Sequence, residues 1–243
     1  MFFIVPDGYR LLTNDLSIYL IKGYKNLFRG LIQYTAVPIT RAPKTFNIPF
    51  TDYVNPLAEI EKALENNPWV EGVKYLAIYL TPIGKHAIDK EQRKIYYKVK
   101  EKLLNLDITS QCIETDKMLK VIEEDKKVDE YGRSKSNFAY TLQNMAIAIN
   151  AKLGGIPWRI NVPDHKELVV GVGAFRHEDT KIQYLGSAFS FDNTGAFNSF
   201  DYFHHDQTAE LAGSIEEAVI RYANVNDKPG RLIIHFYKEM SEE

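Results

Sequence analysis

Short apolar runs alternate with amphipathic stretches between residues 51 and 160. The runs at 75–80 and 108–113 are bounded by polar or turn-forming residues, which predicts buried strands. In the stretches around them, apolar residues recur every three or four positions, which predicts helices at 57–66, 91–105, 116–123 and 136–152. Strands and helices that alternate in this order predict an α/β domain of the Rossmann-like, doubly wound type with a parallel sheet.

The pattern changes after residue 160. Three strands with turns between them are predicted first, at 167–175, at 181–191 and in a stretch that reaches 202. A helix with Leu211 and Ile215 on its apolar face follows, and 231–236 forms a further strand. Three antiparallel strands, a helix and a strand are the order of the first half of a ribonuclease-H-like (RNase H-like) domain.

The first 50 residues contain apolar runs at 2–5 and 16–21 that predict short strands. Four prolines between residues 38 and 56 indicate a linker. We therefore expect N-terminal strands and a linker over 1–50, which we leave unassigned. The α/β domain is expected over 51–160 and the RNase H-like part over 161–243.

Composition restricts the kind of site to expect. Hydrophobic residues make up 45% of the 243 residues, so a packed core is expected rather than disorder. A formal net charge of -2 argues against a wholly basic nucleic-acid coat, so any anion site must be local. Cys112 is the single cysteine, which fits a reduced, cytoplasmic setting, and no apolar run approaches the length of a membrane span.

Four possible donors are distributed over the α/β domain. Tyr96 and Lys100 are one helical turn apart, Gln111 lies in the next strand, and Lys152 ends the long helix before two glycines. A terminal phosphate carries nearly two negative charges and needs several convergent donors. We interpret the set as a pocket for the 5′-phosphate of a nucleic-acid strand. Each residue also has an ordinary structural explanation, such as a solvated lysine or a lysine at a helix C-terminus.

The sequence of residues 143–158, QNMAIAINAKLGGIPW, resembles the junction between the MID and PIWI domains of Argonaute proteins. Tyr96, Lys100, Gln111 and Lys152 match the tyrosine, lysine, glutamine and lysine with which the family binds the guide 5′-phosphate. The resemblance covers about 51–240. It implies a MID domain followed by a partial PIWI domain, of the kind found in short prokaryotic Argonautes that lack a PAZ domain.

The resemblance also implies roles for these residues. Tyr96 would stack on or bond to the first nucleotide, and Lys100, Gln111 and Lys152 would hold the phosphate. A divalent cation, Mg²⁺, would assist, with Gln111 as its candidate ligand. Ala148 stands where eukaryotic members often carry a second lysine, so the chain follows the prokaryotic pattern there.

Two catalytic carboxylates of cleaving PIWI domains are absent from the expected positions. Gly173 follows Val169-Val170-Gly171-Val172 where the family has an aspartate, and Tyr237 stands where another aspartate is expected. Two-metal cleavage requires such clustered carboxylates. We therefore predict no catalytic residues and no cleavage. The chain ends at Glu243, so a terminal carboxylate that helps hold the pocket metal in some members is not expected in its usual place.

The resulting hypothesis is a non-cleaving, guide-binding protein. Its partners would be a guide RNA or DNA, a complementary target and a separate effector protein, in prokaryotic defence. One alternative is a metal-dependent nuclease with another carboxylate set, including Asp201, Asp206 or Glu210. A third possibility is a small-molecule-binding α/β domain whose lysines bind the phosphate of a metabolite.

Overall fold

The computed structural model describes residues 1–84, 86–127, 130, 137–158, 166–176, 180, 182–192, 195, 197–204, 206–226 and 229–236. The chain divides into two compact units, Met1–Pro157 and Trp158–Glu243. Among the described residues, no helix combines the length and the apolar character needed to cross a membrane.

The first unit is built on a four-stranded parallel sheet of order β2-β1-β3-β4. The β1 and β3 strands are buried along their whole length, which is typical of central strands covered on both faces. The order 2-1-3-4 is that of a doubly wound sheet. The strands are β1 (Phe2–Pro6), β2 (Ile48–Phe50), β3 (Leu76–Thr81) and β4 (Thr109–Glu114).

Helices cover both faces of this sheet because side chains alternate along each strand. Phe3 and Ile78 face one apolar cluster, to which α1, α4 and α5 contribute, whereas Phe2 and Tyr79 face the other, with α2 and α3. The helices are α1 (Arg10–Lys22), α2 (Leu57–Asn66), α3 (Lys90–Asn105), α4 (Thr115–Lys126) and α5 (Phe138–Lys152). Short 3-10 turns occupy Asp7–Tyr9, Leu31–Gln33 and Lys44–Phe46.

Two predictions for the N-terminal 50 residues were wrong. The predicted strand at 16–21 lies in α1, where Leu16 and Leu20, one helical turn apart, are both fully buried. The proline-rich linker instead contains β2, whose residues Ile48 and Phe50 are buried against the sheet. Proline has no backbone N–H, and it is compatible with an edge strand because one side of such a strand needs no hydrogen-bond partner. These residues therefore belong to the first unit.

The second unit has a sheet of order β7-β6-β5-β9, with β8 paired to β6. The first three strands pair antiparallel and β9 pairs parallel to β5, so the predicted strand order is confirmed. The third predicted strand corresponds to β7, which ends at Ser199 instead of reaching 202, and a further short strand, β8, follows it. The elements are β5 (Glu167–Arg176), β6 (Gln183–Asp192), β7 (Phe197–Ser199), β8 (Phe203–His204), α6 (Thr208–Asn226) and β9 (Arg231–Phe236). Leu211 and Tyr222 of α6 pack against Leu168, Val170 and Val172 of β5.

Candidate functional site

A pocket of about 450 Å³ lies along the outer edge of β4, between α3 on one face of the sheet and α4 and α5 on the other. The four predicted residues, Tyr96, Lys100, Gln111 and Lys152, all line it. They come from three elements that are distant along the chain. The other lining residues are Thr81, Cys112, Ile113, Glu114, Lys117, Met118, Val121, Thr141 and Ala148.

The α3 helix supplies one wall of the pocket. The helix begins after Asp89, whose carboxylate accepts hydrogen bonds from two backbone amides of the first turn and caps them. Tyr96 is 7% exposed, and the Lys100 ammonium lies 5.7 Å from the centre of its ring. Tyr96 lies on the buried face of α3 beside Val99, whereas the neighbouring Ile95 is only half-buried. Tyr96 therefore forms part of the wall of the pocket.

Lys152 connects the end of α5 to the free edge of β4. Its ammonium donates to the Ser110 carbonyl oxygen and to Gln111 Oε1, both at 2.8 Å. The Gln111 amide in turn donates to the Cys112 carbonyl oxygen at 3.0 Å. Because the N–H and C=O of one strand residue point the same way, the backbone N–H of Cys112 also faces the pocket. The edge therefore presents a cation and a backbone donor together.

The glycines after Lys152 determine where α5 ends. Gly154 has φ +85°, a left-handed conformation that terminates helices and favours glycine. A Cβ on Gly155 would lie 1.9 Å from the side-chain oxygen of Asn150. Gly154 thus allows the helix to end at Lys152, and glycine at 155 leaves room for the Asn150 side chain, so that Lys152 lies beside β4.

Two cations converge in the pocket. Burial lowers the pKa of Lys152. Cys112 opposes this change, and the nearby charge of Lys100 adds to the lowering. Burial raises the pKa of Cys112, although both lysines oppose the rise. Burial also raises the pKa of Tyr96. The thiol and the phenol are therefore neutral at pH 7. Among the described residues, no carboxylate forms an ion pair with Lys100 or Lys152. The site is therefore electrostatically suited to an anion.

The far end of the pocket was not predicted from the sequence. There the Glu114 carboxylate contacts Lys117 at 2.6 Å and packs against Gly84. The ion pair balances the negative charge, so Glu114 does not neutralise the two pocket lysines. Glu114 ends β4, Lys117 lies in the first turn of α4, and Gly84 follows β3. The carboxyl ends of parallel strands are where such sheets usually bind ligands.

The pocket offers limited ligands for Mg²⁺. Gln111 Oε1 is a suitable oxygen, but it accepts from Lys152, and Glu114 is paired with Lys117. In the described part of the chain, no cluster of three metal-binding side chains occurs. Mg²⁺ commonly binds through one or two protein oxygens plus phosphate oxygens and waters. The residues therefore fit Mg²⁺ only when a phosphate supplies further ligands.

The alternative carboxylate set is dispersed in the second unit. Asp201 and Glu210 line one cavity of about 500 Å³, but Asp201 lies 3.4 Å from the Arg221 guanidinium. Asp206 contacts His204 at 2.6 Å and does not line that cavity.

At the expected catalytic position, Gly173 follows Val172, which pairs with Phe236 of β9. Tyr237 lies outside the described residues.

Comparisons with known proteins agree with this fold. The Piwi domain family matches residues 86–237. A 106-residue stretch is 28% identical to a Piwi protein of Archaeoglobus fulgidus and covers 43% of this chain but 21% of that protein. Drosophila Piwi matches 97% of the chain at a TM-score of 0.60 and 16% identity. Marinitoga piezophila Argonaute, solved in complex with 5′ OH guide RNA, matches 100% of the chain at a TM-score of 0.59 and 12% identity.

The chain corresponds to 28% of the Drosophila protein and 36% of the Marinitoga protein. These similarities confirm the resemblance to Argonaute proteins and the mixed α/β fold predicted from the sequence. Because the Piwi family match extends over more than half of its residues, this chain belongs to the Piwi domain family.

Proposed function

We propose that this protein binds the 5′-phosphate end of a guide nucleic acid in the β4-edge pocket. The observation that carries the proposal is the convergence of Tyr96, Lys100, Gln111 and Lys152 on one cavity of about 450 Å³. The guide would then recognise a complementary target by base pairing, so the protein itself would need no base-reading surface for the target.

The pocket chemistry matches a terminal phosphate in charge and in donors. Such a phosphate has nearly two negative charges and three acceptor oxygens. Lys100 and Lys152 supply two cations, and the Cys112 backbone N–H supplies a neutral donor. Holding two like charges together is unfavourable, and the attraction of a dianion between them offsets that repulsion. Tyr96 lines the same pocket, so a first nucleotide bound there would lie beside its side chain.

The guide could carry either a phosphate or a hydroxyl at its 5′ end, and the pocket should distinguish the two. The Marinitoga Argonaute structure contains a guide RNA with a 5′ hydroxyl. A hydroxyl offers no charge to balance two lysines, so the pair formed by Lys100 and Lys152 favours the phosphate. The same pair supports a small phosphorylated metabolite as ligand, and oligonucleotides that copurify with the protein would argue against that third possibility.

Further parts of the proposal rest on the resemblance. Gln111 would be the protein ligand of a Mg²⁺ ion, which would help to neutralise the charge of the phosphate. The replacement of two catalytic aspartates by Gly173 and Tyr237 supports binding without cleavage. The likeness to short prokaryotic Argonautes extends the proposal to a separate effector protein and to a role in defence.

The direct test measures binding of one oligonucleotide with either a 5′-phosphate or a 5′-hydroxyl. The Lys100→Ala and Lys152→Ala variants should each lose about 10- to 150-fold in affinity for the phosphorylated form, the range for a hydrogen bond to a charged group. Their affinity for the hydroxyl form should change little, because the deleted ammonium groups bind the phosphate.

Lys98→Ala is the matched control for this test. Lys98 is exposed on the same helix and does not line the pocket, so its removal deletes the same charge without a pocket contact. Equal losses for both oligonucleotides, or an equal effect of Lys98→Ala, would contradict the assignment of the pocket.

A further inference from the structure

A second cationic cavity lies in the first unit, between the first half of α1 and the segment that leads into β2. Its volume is about 300 Å³. Three of its residues, Arg10, Arg41 and Lys44, are cationic, and three more carry neutral polar groups. The lining residues are Val5, Arg10, Leu11, Thr13, Asn14, Arg41, Lys44, Asn47 and Pro49.

Arg41 is held in place but is not electrostatically satisfied. Its Nη2 donates to the side-chain oxygen of Asn14 at 3.0 Å, and the guanidinium lies 5.8 Å from the centre of the Phe3 ring. The Nε of Arg41 is buried and has no hydrogen-bond partner among the described residues. A buried donor without an acceptor is unfavourable, so an anion that accepts from this group would stabilise it.

The charge around Arg41 is also unbalanced. Arg10 forms an ion pair with Asp7, but within the described chain no carboxylate pairs with Arg41 or Lys44. The side-chain oxygen of Asn47 accepts from the Phe3 N–H at 3.0 Å, which leaves its NH₂ group as a further donor. A guanidinium, an ammonium and an amide therefore surround one small cavity.

The cavity opens at the same end of the parallel sheet as the β4-edge pocket. Val5 and Pro49, which line it, are register partners near the carboxyl ends of β1 and β2. The β4-edge pocket begins at Gln111, which pairs with Ile78 in the adjacent strand β3. The two sites flank opposite edges of the four-stranded sheet. Three strand spacings separate those edges, about 14 Å, or roughly four nucleotides of a stacked strand at about 3.4 Å each.

We propose that the cavity of Arg41 and Lys44 binds an internal phosphodiester of the nucleic acid whose 5′-phosphate occupies the β4-edge pocket. This inference rests on the proposed function and adds a second contact to it. The planar fork of an arginine suits two phosphate oxygens, and the amide donors fit an acceptor-only group. Contact at an internal phosphate would fix the path of the strand without reading its sequence.

The test compares a 5′-phosphorylated dinucleotide with a 12-nucleotide strand that has the same 5′ end. The dinucleotide is too short to span both sites, whereas the longer strand reaches them. Affinity for the 12-mer should fall about 3-fold in Lys44→Ala and about 10- to 30-fold in the double variant Arg41→Gln/Lys44→Ala. Affinity for the dinucleotide should not change in either variant. The salt dependence of log K for the 12-mer should become shallower by about 0.7 for each phosphate that the variant no longer neutralises.

Lys62→Ala is the control, because Lys62 is exposed on α2 and lines neither site. Lys44 is exposed, and within the described chain its side chain forms no hydrogen bond or ion pair, so Lys44→Ala should fold normally, whereas Arg41 also lies over Phe3. Unchanged dinucleotide binding verifies that each variant is folded.

An unaltered salt slope and 12-mer affinity in the double variant would overturn the inference while leaving the proposed function intact. If the double variant instead stopped binding an acidic peptide and kept its affinity for the oligonucleotide, the cavity would belong to a protein partner, which would also overturn it. Failure of the wild-type protein to bind the phosphorylated dinucleotide would instead count against the proposed function.

Discussion

The Lys152 ammonium lies 2.8 Å from Gln111 Oε1 and joins the end of α5 to the edge of β4 across 41 positions of sequence. Lysine side chains lose up to about 2 kcal/mol of conformational entropy when they are fixed. In this protein the ammonium already has two oxygen acceptors, so the Lys152 side chain is fixed in the folded protein. Much of this entropy is therefore lost on folding and not on binding. A phosphate therefore meets a lysine that is already in position, which favours binding.

This arrangement predicts that Lys152 and Gln111 act as a coupled pair in binding. Lys152→Ala and Gln111→Ala should each weaken binding of a 5′-phosphorylated oligonucleotide, and the double variant should lose less than the sum of the single effects. We expect a coupling energy of about 1 kcal/mol, as is usual for residues in one hydrogen-bond network. Dissociation constants of the four proteins in the cycle measure it.

The control cycle pairs Lys152→Ala with Lys98→Ala. Because Lys98 does not line the pocket, these two effects should add to within about 0.5 kcal/mol. Additivity in the Lys152 and Gln111 cycle as well would show that the hydrogen bond between them does not contribute to the site.

Local periodicity was sufficient to predict much of the pocket. The i, i+4 spacing of Tyr96 and Lys100 fixes both on one side of α3 whatever the tertiary structure is. The position of Lys152 at the end of α5 follows from the glycines after it. Residues 231–236 were predicted as a strand with the observed bounds, because two isoleucines and a phenylalanine favour a strand and Pro229-Gly230 marks its start.

Features that depend on distant pairing could not be predicted from local patterns. The β2 strand has three residues and a proline, and only its pairing with β1 makes it a strand. In α1 the short run at 16–21 was too brief to separate the period of a strand from that of a helix. The cavity of Arg41 arises because α1 and the segment before β2 pack together, and no spacing in the sequence indicates that contact.

The affinity for 5′-phosphate should depend on pH at both ends of the range. Lys152 binds the phosphate in its charged form, and its pKa is lowered from 10.5 by burial and by Lys100. As pH rises, Lys152 loses its proton, and because its pKa is lowered this loss begins before pH 10.5 is reached. The preference for 5′-phosphate over 5′-hydroxyl should therefore decline at alkaline pH. It should also fall below about pH 6, where the phosphate regains its second proton.

The Lys100→Ala variant tests whether Lys100 lowers the pKa of Lys152. Removing the repulsion from Lys100 raises the pKa of Lys152, so the decline at alkaline pH should move to higher pH even though overall affinity is lower. The ratio of the two dissociation constants between pH 5 and pH 10.5 measures both effects. A decline that stays in place or moves to lower pH would contradict the proposed interaction between the lysines.

Mg²⁺ should strengthen binding only when the 5′-phosphate is present. Gln111 is the candidate protein ligand for the metal, and in the pocket its oxygen accepts from Lys152. We expect about a 5-fold gain in affinity, roughly 1 kcal/mol, on replacing EDTA with Mg²⁺ for the phosphorylated strand. The gain should disappear in Gln111→Ala and for the 5′-hydroxyl strand. Titration by fluorescence anisotropy measures it, and an equal gain for both strands would indicate general screening instead of a bound metal.

Gly173→Asp should leave the fold intact and should not create a nuclease. A Cβ at Gly173 meets no atom within 4 Å among the described residues, so unfolding by urea should show a loss of no more than about 1 kcal/mol, the span of strand propensity. Val172→Asp is the control, because Val172 is 3% exposed and a buried carboxylate should cost about 3 kcal/mol or more.

Cleavage requires a second carboxylate that Gly173→Asp does not supply. Position 237 is a tyrosine, so the added aspartate alone cannot hold two metal ions. We expect neither the wild-type protein nor Gly173→Asp to cut a matched target in the presence of guide and Mg²⁺ or Mn²⁺. A product cut at one fixed distance from the guide 5′ end, formed by the wild-type protein, would refute binding without cleavage and favour the alternative carboxylate set that includes Asp201 and Glu210.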